Sequence, residues 1–261
     1  MTQVVDSATS LRVEYRGAVA VLTIDRASRR NAVDLPTARA IARALDDLDG
    51  RDELRAAVLT GSGGTFCAGM DLKALTTTGE RPIDEQRGPF GIVGRPPRKP
   101  IIAAVEGAAV GGGFEIVLSC DLVVAAEGAT FGLPEVRRGL LAAGGGLFRL
   151  PARIPRNIAM EAILTGRPLP AARCAELGLV NRVVPDGEAL AAAVELAEVI
   201  ASNAPLAVQG SKAVVGESAD WPLAELFDRQ EPFADAVRRS ADAREGAAAF
   251  LEKRAPRWQA R

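Results

Sequence analysis

Two stretches of the chain repeat one order of features: a short apolar run, a glycine-rich loop and the beginning of a helix. They cover residues 58–72 and 101–118. Short apolar runs bounded by glycine are typical of buried strands. A chain that leaves a strand through a loop and a helix returns to the sheet in the same direction, so this order favours parallel pairing. The feature therefore predicts an α/β fold.

The alternation of strands and helices extends over most of the chain. It begins with a predicted hairpin at residues 11–14 and 19–24 and continues to Pro185. Beyond that proline the apolar spacing predicts helices with no strand between them. We therefore expect a core formed by residues 1–198 and a C-terminal helical region formed by residues 199–261, for which the length of the chain is sufficient.

The composition argues against several classes of protein. The net charge is −1 and no basic tract stands out, so nucleic acid is not an expected partner. The longest apolar runs fall short of the roughly 20 residues that span a bilayer. Residues 1–10 lack the basic start and apolar core of a signal peptide. Three cysteines without metal-ligand spacing fit a reducing compartment. We expect a cytoplasmic protein with no membrane partner and no metal.

The chain contains no histidine. This excludes Ser-His-Asp and Cys-His nucleophile systems, and it excludes a histidine-ligated zinc. Any proton transfer has to use carboxylates, lysines, Tyr15 or cysteines. By elimination, carboxylates are the leading candidates for acid–base chemistry.

The second glycine loop carries such a carboxylate. Three glycines, 111–113, precede a predicted helix, and Glu115 lies one turn inside it. Glycines let a substrate approach the backbone closely, and the first N–H groups of a helix are unpaired and lie at the positive end of its dipole. Such a site stabilises negative charge that develops on an oxygen. Alternatively, the glycines only permit close packing of helix on sheet and Glu115 pairs with a structural arginine.

The first glycine loop, residues 61–72, is not a nucleotide site. No Gly-Lys-Ser/Thr follows it, as a phosphate loop requires. It also lacks the spacing and the downstream acidic residue of a dinucleotide fingerprint. NAD is therefore not an expected cofactor.

Four segments taken in order make the sequence resemble the crotonase (enoyl-CoA hydratase/isomerase) superfamily: residues 66–72, 107–121, 131–135 and 250–254. The resemblance covers nearly the whole chain. It implies a spiral of repeated ββα units with a C-terminal helical trimerisation region, assembled as a trimer or as a hexamer made of two trimers. It also implies an acyl-CoA thioester substrate and no separate cofactor, because coenzyme A is part of the substrate.

The resemblance assigns binding roles to individual residues. The thioester oxygen would lie between the backbone N–H groups of Met70 and Gly112, which fits an oxyanion site. Phe250 and Lys253 would meet the CoA nucleotide, in some members from the neighbouring subunit; the alternative for Lys253 is a solvated helix end. The full set of expected substrate contacts is Arg29, Ala32, Ala68, Met70, Asp71, Leu72, Gly112, Phe250 and Lys253.

Two glutamates match the catalytic pair of hydratases in this superfamily. Glu115 and Glu135 have the hydratase spacing of 20 residues. One carboxylate would activate the water that attacks the β-carbon, and Glu135 would exchange the proton at the α-carbon. The alternative for Glu135 is a structural ion pair with Arg137 or Arg138. Isomerases of the superfamily manage with one glutamate near the second position, so the pair favours hydration of 2-enoyl-CoA to 3-hydroxyacyl-CoA.

Other activities stay open at this point. The same site suits a double-bond isomerase, a specialised dehydratase or a C–C lyase, whereas a non-catalytic acyl-CoA-binding protein fits the intact glutamate pair less well. The chain also departs from the common hydratase pattern at residues 141–147, where Leu147 replaces a threonine and a proline is missing.

Residues 73–99 have no clear period and contain four prolines, which predicts a short helix and a mobile loop. We expect this segment to supply the walls of an acyl pocket. The candidate wall residues are Leu75, Ile83, Phe90, Ile92 and Val93.

Overall fold

The computed structural model describes residues 3–5 and 10–261. The strands are β1 (Gln3–Val5), β2 (Leu11–Arg16), β3 (Val19–Ile24), β4 (Ala56–Gly61), β5 (Ile83–Asp84), β6 (Gly88–Pro89), β7 (Ile101–Val105), β8 (Ala108–Val110), β9 (Leu122–Ala126), β10 (Thr130–Gly132), β11 (Leu169–Pro170) and β12 (Arg182–Val184). The helices are α1 (Leu35–Gly50), α2 (Leu72–Thr78), α3 (Gly112–Leu118), α4 (Gly146–Arg153), α5 (Arg156–Thr165), α6 (Ala171–Glu176), α7 (Ala189–Ala201), α8 (Pro205–Glu217), α9 (Leu226–Arg238) and α10 (Ala241–Glu252).

A seven-stranded sheet in the order β1-β2-β3-β4-β7-β9-β12 forms the centre of the molecule. Pairing is antiparallel from β1 to β3 and parallel from β3 to β12. In β3, β4, β7 and β9 alternate residues enter two different apolar clusters, so that Leu59 and Val58, for example, lie on opposite faces. Because both faces of these four strands are covered, their sequences are almost continuously apolar. The predicted α/β fold with parallel pairing is confirmed.

A smaller sheet, β11-β10-β8, brings the two predicted catalytic segments together. Strands β8 and β10 are parallel, with Val110 opposite Gly132. The N–H of Gly111 then donates to the carbonyl of Gly132 at 2.8 Å. This pairing places the beginning of α3, which carries Glu115, beside the segment that carries Glu135.

The segment between α2 and β7 is joined to α1 at Arg87, and α2 is the short helix predicted there, whereas the mobility of the following loop stays a prediction. Its hairpin, β5 and β6, lies against α1, and the side chain of Arg87 is only 2% exposed. Arg87 pairs with Asp46 and Asp49 of α1 at 2.8 and 3.0 Å. These contacts link residues about 40 positions apart, which no local pattern in the sequence indicates.

The C-terminal helices leave the core after α7. That helix contains the predicted boundary at residue 198, and its alanine face, including Ala193 and Ala197, packs on the central sheet. Helix α8 is joined to the core by an ion pair of 2.6 Å between Lys212 and Asp121. The division into residues 1–198 and 199–261 and the trimerisation of the helical part stay predictions.

No single helix in residues 10–261 has the length and apolar character needed to cross a membrane. Helix α7 and residues 205–220 reach that composition only as a pair bent by 108°.

Candidate active site

The two glycine loops lie side by side. The N–H of Cys67 donates to the carbonyl of Ala108, and the N–H of Val110 donates to the carbonyl of Cys67, both at 3.1 Å. Further along, Gly69 has a φ of +91°, and a Cβ built on it would lie 2.9 Å from the nitrogen of Gly112. This close approach requires glycine at position 69. It brings the backbone of the first loop against the start of α3.

Two backbone N–H groups are left unpaired where the loops meet. The N–H of Met70 and the N–H of Gly112 donate to no other residue in the described part of the chain. Met70 lies between two hydrogen bonds to Val33, one from each neighbouring peptide, so its own N–H points away from Val33. Gly112 is the first residue of α3 and therefore has no partner within the helix. The prediction that these two groups form an oxyanion site fits this geometry.

Both residues line one cavity of about 140 Å³, together with Glu115 and Glu135. The cavity wall also contains residues 68–70, 111–112 and 143–144. The other residues that line it are Leu72, Arg81, Pro82, Ile83, Pro89, Phe90, Arg138, Leu140 and Leu141.

Glu115 is held by main-chain groups of a third glycine run. Its side chain is buried, and its Oε1 accepts the N–H of Gly146 at 3.0 Å. A Cβ built on Gly144 would lie 2.5 Å from the other oxygen, Oε2. Burial raises the pKa of Glu115 above its ordinary value; the N–H of Gly146 opposes this, and the negative charge of Glu135 adds to it. The carboxyl group therefore keeps its proton at a higher pH than an exposed glutamate.

Glu135 lies in a 3-10 turn, Pro134–Arg138, which is separated from the end of β10 by one residue. Its Oε2 is buried without a hydrogen-bond partner in the described chain. Its Oε1 lies 3.2 Å from the position of a Cβ on Gly111. Burial raises the pKa of Glu135, while its own backbone N–H and the charge of Arg138 oppose the rise. This carboxyl group has an oxygen free to hold or release a proton.

The structural alternative for Glu135 finds no support. Among the described residues it forms no ion pair with Arg137 or Arg138. Arg137 instead donates to the carbonyl of Thr165 at 2.9 Å. Arg138 lines the cavity and contributes only its charge.

Leu147, where the chain departs from the hydratase pattern, lies outside the cavity wall, although Leu141, Ala143 and Gly144 of the same stretch line it. The N–H of Gly146 holds Glu115 without help from any side chain of the loop. Gly145 has a φ of +96°, so this loop depends on glycine as the loop before α3 does. Sequence reasoning did not assign Gly144 and Gly146 to the site, although a glycine run before a helix was the available signal.

The structure separates the predicted substrate contacts into two groups. Ala68, Met70, Leu72 and Gly112 line the cavity, with Leu72 half exposed at its mouth. The remaining five lie outside its wall: Arg29, Ala32, Asp71, Phe250 and Lys253. Their contacts with CoA stay predictions.

Asp71 has a structural role. It caps α2 by accepting the N–H of Ala74 at 3.0 Å and pairs with Arg26 at 2.9 Å. Burial raises the pKa of Asp71, but the N–H of Ala74 and the guanidinium of Arg26 outweigh it and hold that pKa below its ordinary value. Arg26 also pairs with Asp34, the cap of α1, so one guanidinium ties two helix starts together beside Met70.

Three of the five predicted wall residues lie outside the cavity wall: Leu75, which is half-buried on α2, and Ile92 and Val93. Ile92 and Val93 are buried in the main apolar cluster and do not reach the cavity. Ile83 and Phe90 do line it. The apolar side chains of this irregular segment divide between core and cavity because both are apolar environments, and the sequence does not distinguish them.

The site combines one buried and one half-buried carboxyl group with two unpaired N–H donors, an arrangement suited to an enzyme that moves protons beside a stabilised oxyanion. The model of the enoyl-CoA hydratase/isomerase family matches residues 14–261. The chain belongs to this family, and its fold is that of the crotonases.

The similarity to individual relatives extends over nearly the full length of this chain. Enoyl-CoA hydratase EchA19 of Mycobacterium tuberculosis is 43% identical, over 98% of this chain and 99% of its own. Carnitinyl-CoA dehydratase of Salmonella typhi is 39% identical, over 97% and 99%. A crystal structure of an enoyl-CoA hydratase from Mycobacterium tuberculosis H37Rv is 51% identical and superposes with a TM-score of 0.94, covering 97% of this chain and 99% of that one.

Proposed function

We propose that this chain is a 2-enoyl-CoA hydratase, which adds water reversibly to the 2,3 double bond of an acyl-CoA thioester and gives 3-hydroxyacyl-CoA. The observation that carries the proposal is the presence of Glu115, Glu135 and the unpaired N–H groups of Met70 and Gly112 in one cavity. The full-length similarity to proteins named enoyl-CoA hydratase agrees with the hydro-lyase predicted from the sequence.

In this proposal each group of the site has its own task. The thioester oxygen accepts hydrogen bonds from the N–H groups of Met70 and Gly112, which stabilise the negative charge that develops on it as the β-carbon is attacked. The dipole of α3 acts in the same direction. Because the donors are main-chain groups fixed by the paired loops, they need no reorganisation during the reaction.

The two carboxyl groups handle the water and the protons. In the hydration direction one carboxylate, assigned to Glu115, takes a proton from the attacking water, and the N–H of Gly146 keeps that carboxylate in place. Glu135 delivers a proton to the α-carbon from its unpartnered oxygen. The two groups therefore begin in opposite protonation states, which their mutual repulsion and the raised pKa values of both favour.

Assembly, location and cofactor requirement belong to the same proposal. The chain acts on a CoA thioester without a separate cofactor or metal, in the cytoplasm, as a trimer or a hexamer. Support for assembly comes from large apolar side chains that the isolated chain leaves exposed on its C-terminal segment: Leu223, Phe227, Phe250 and Leu251. Burial of such a set in a subunit interface also brings Phe250 and Lys253 of one copy within reach of a neighbour.

The proposal is tested with 2-enoyl-CoA esters from four carbons to long and aromatic chains, following loss of the conjugated thioester and identifying the product. Glu115→Gln and Glu135→Gln should each lower kcat by about 10²- to 10⁴-fold while CoA esters still bind. Glu127→Gln, at an exposed glutamate outside the cavity, is the matched control with unchanged turnover. Unchanged turnover in both active-site variants would reject the assignment.

A second candidate is dehydration of a substituted 3-hydroxyacyl-CoA, favoured by the 39% identity with a protein named carnitinyl-CoA dehydratase. The chemistry is the same reaction in reverse, and only the acyl group differs. Product analysis with substituted and unsubstituted substrates separates the two. Appearance of a shifted double bond instead of a hydroxyl group would indicate an isomerase.

A further inference from the structure

The aromatic ring of Phe90 stands inside the site. A Cβ built on Gly112 would lie 2.2 Å from the Cζ of Phe90, and one built on Gly144 would lie 3.1 Å from its Cε2. The ring therefore touches the segment that supplies an oxyanion donor and the segment that lies against Glu115. It fills space that side chains at Gly112 and Gly144 would otherwise occupy.

The backbone holds Phe90 in an unfavourable conformation. Its φ is +57°, in the left-handed region that residues with a Cβ rarely adopt. Such conformations persist where the surrounding structure determines them strongly, and they cluster at functional sites. Here the N–H of Phe90 donates to the carbonyl of Pro82 at 2.7 Å. The next residue, Gly91, lies so close to α1 that a Cβ on it would be 2.0 Å from the carbonyl oxygen of Ala38.

Arg87 fixes the same segment from the other side. Its Nε donates to Asp46 at 2.9 Å, its Nη2 pairs with Asp49 at 3.0 Å, and its Nη1 donates to the carbonyl of Arg95 at 2.9 Å. The buried guanidinium thus joins both ends of the turn that carries Phe90 to α1. A ring held in this way is a fixed wall, not a movable gate.

We propose that Phe90 is a specificity-determining residue that limits the width of the acyl group at the carbon next to the thioester. The inference rests on the proposed function, because it takes the thioester oxygen to lie between the N–H groups of Met70 and Gly112. That placement brings the carbonyl carbon and the α-carbon beside Gly112, which the ring of Phe90 contacts. A methyl branch on the α-carbon has to compete with the ring for this space, so unbranched acyl groups are preferred.

Binding of saturated esters tests the wall without any turnover. Butanoyl-CoA and 2-methylpropanoyl-CoA have equal carbon number but differ in branching, and neither has a double bond to hydrate. Titration calorimetry of the wild-type protein should give at least about tenfold tighter binding of the straight ester, the usual scale for one methyl group in a pocket. Phe90→Ala should bring the two affinities within about threefold. Phe90→Leu keeps an apolar side chain at the site if the alanine variant unfolds, and should give an intermediate ratio.

Leu72→Ala is the matched control. Leu72 lines the same cavity at its mouth and should change the affinity for both esters by the same factor. A ratio in Phe90→Ala and Phe90→Leu equal to that of the wild type overturns the role of Phe90.

The same titration separates this inference from the proposed function. If the wild-type protein binds both esters with equal affinity, only the role of Phe90 is rejected. Hydration of 2-butenoyl-CoA would then still support the hydratase assignment. If neither ester binds, both the acyl-CoA site and the role of Phe90 as its wall are rejected.

Discussion

Gly144 lies against Glu115, the carboxylate that we propose to be catalytic, and we expect it to set the position of that side chain; replacing Gly144 with alanine tests this directly. The added Cβ would lie 2.5 Å from Oε2 of Glu115 and 3.1 Å from the ring of Phe90. Real Cβ atoms essentially never approach closer than 3.0 Å, so Glu115 or the loop has to move by at least 0.5 Å. A misplacement of about 1 Å costs a catalytic group about 10²-fold. We expect kcat for Gly144→Ala to fall about 10- to 100-fold, a rise of roughly 1.4 to 2.7 kcal/mol in the barrier.

The assay is steady-state hydration of the best enoyl-CoA substrate, with the affinity for a saturated CoA ester measured in parallel. Gly50→Ala is the control, because Gly50 ends α1 and a Cβ there meets no atom within 4 Å. That variant should keep wild-type kcat. The CoA ester should bind to Gly144→Ala nearly as tightly as to the wild type, since the moved group acts in catalysis. A folded Gly144→Ala enzyme with kcat within twofold of the wild type would refute the positioning role of this glycine.

Two further predictions concern stability. Arg87→Met should lower the free energy of unfolding in urea by about 2 to 4 kcal/mol, which is the cost of breaking a buried ion pair, reduced because Asp46 is half exposed. The control Arg173→Met breaks an exposed ion pair and should change the free energy of unfolding by less than about 0.5 kcal/mol. Equal effects of the two substitutions would contradict the anchoring role of Arg87. Glu135→Gln should match the wild type in thermal stability near pH 4 and exceed it increasingly as the pH rises above 4.5, the ordinary pKa of a glutamate. The reason is that the folded state, in which the pKa of Glu135 is raised, favours the protonated carboxyl group, and this contribution to the stability of the wild type is lost as the pH rises through the raised pKa. A stability difference that does not vary with pH would show that Glu135 titrates normally.

The sequence predicted the elements and the centre of the site because both depend on local patterns. Apolar runs between glycines indicated the parallel strands, and the glycine triplet before Glu115 indicated a helix start with unpaired N–H groups. The choice of Gly112 and Met70 as the donors came from the family resemblance. The placement of Glu135 beside α3 followed from the family resemblance, and the pairing of β8 with β10 provides its physical basis.

The contacts that hold the site together could not be predicted from local sequence patterns. Arg87 reaches aspartates 38 and 41 positions earlier, and Gly146 reaches a glutamate 31 positions away. In both cases the packing of whole helices and strands determines the partner. From the sequence alone, Arg87 suits an exposed arginine and Gly146 suits an ordinary turn. The sequence also contained no sign of the structural contacts of Asp71, whose two oxygens accept from Ala74 at the start of α2 and from Arg26; its predicted contact with CoA stays a prediction.

Main-chain groups, at Met70, Gly112 and Gly146, supply the donors in this site. A main-chain donor survives any substitution that preserves the local backbone, so the side chains around it can diversify without loss of the chemistry. In residues 140–147 the glycines 144–146 form the backbone against Glu115, whereas Leu140 and Leu141 are exposed side chains that line the cavity and can be replaced without changing that backbone. A library restricted to those two leucines, with the glycines untouched, should therefore yield altered acyl-group preferences in a large share of its active members.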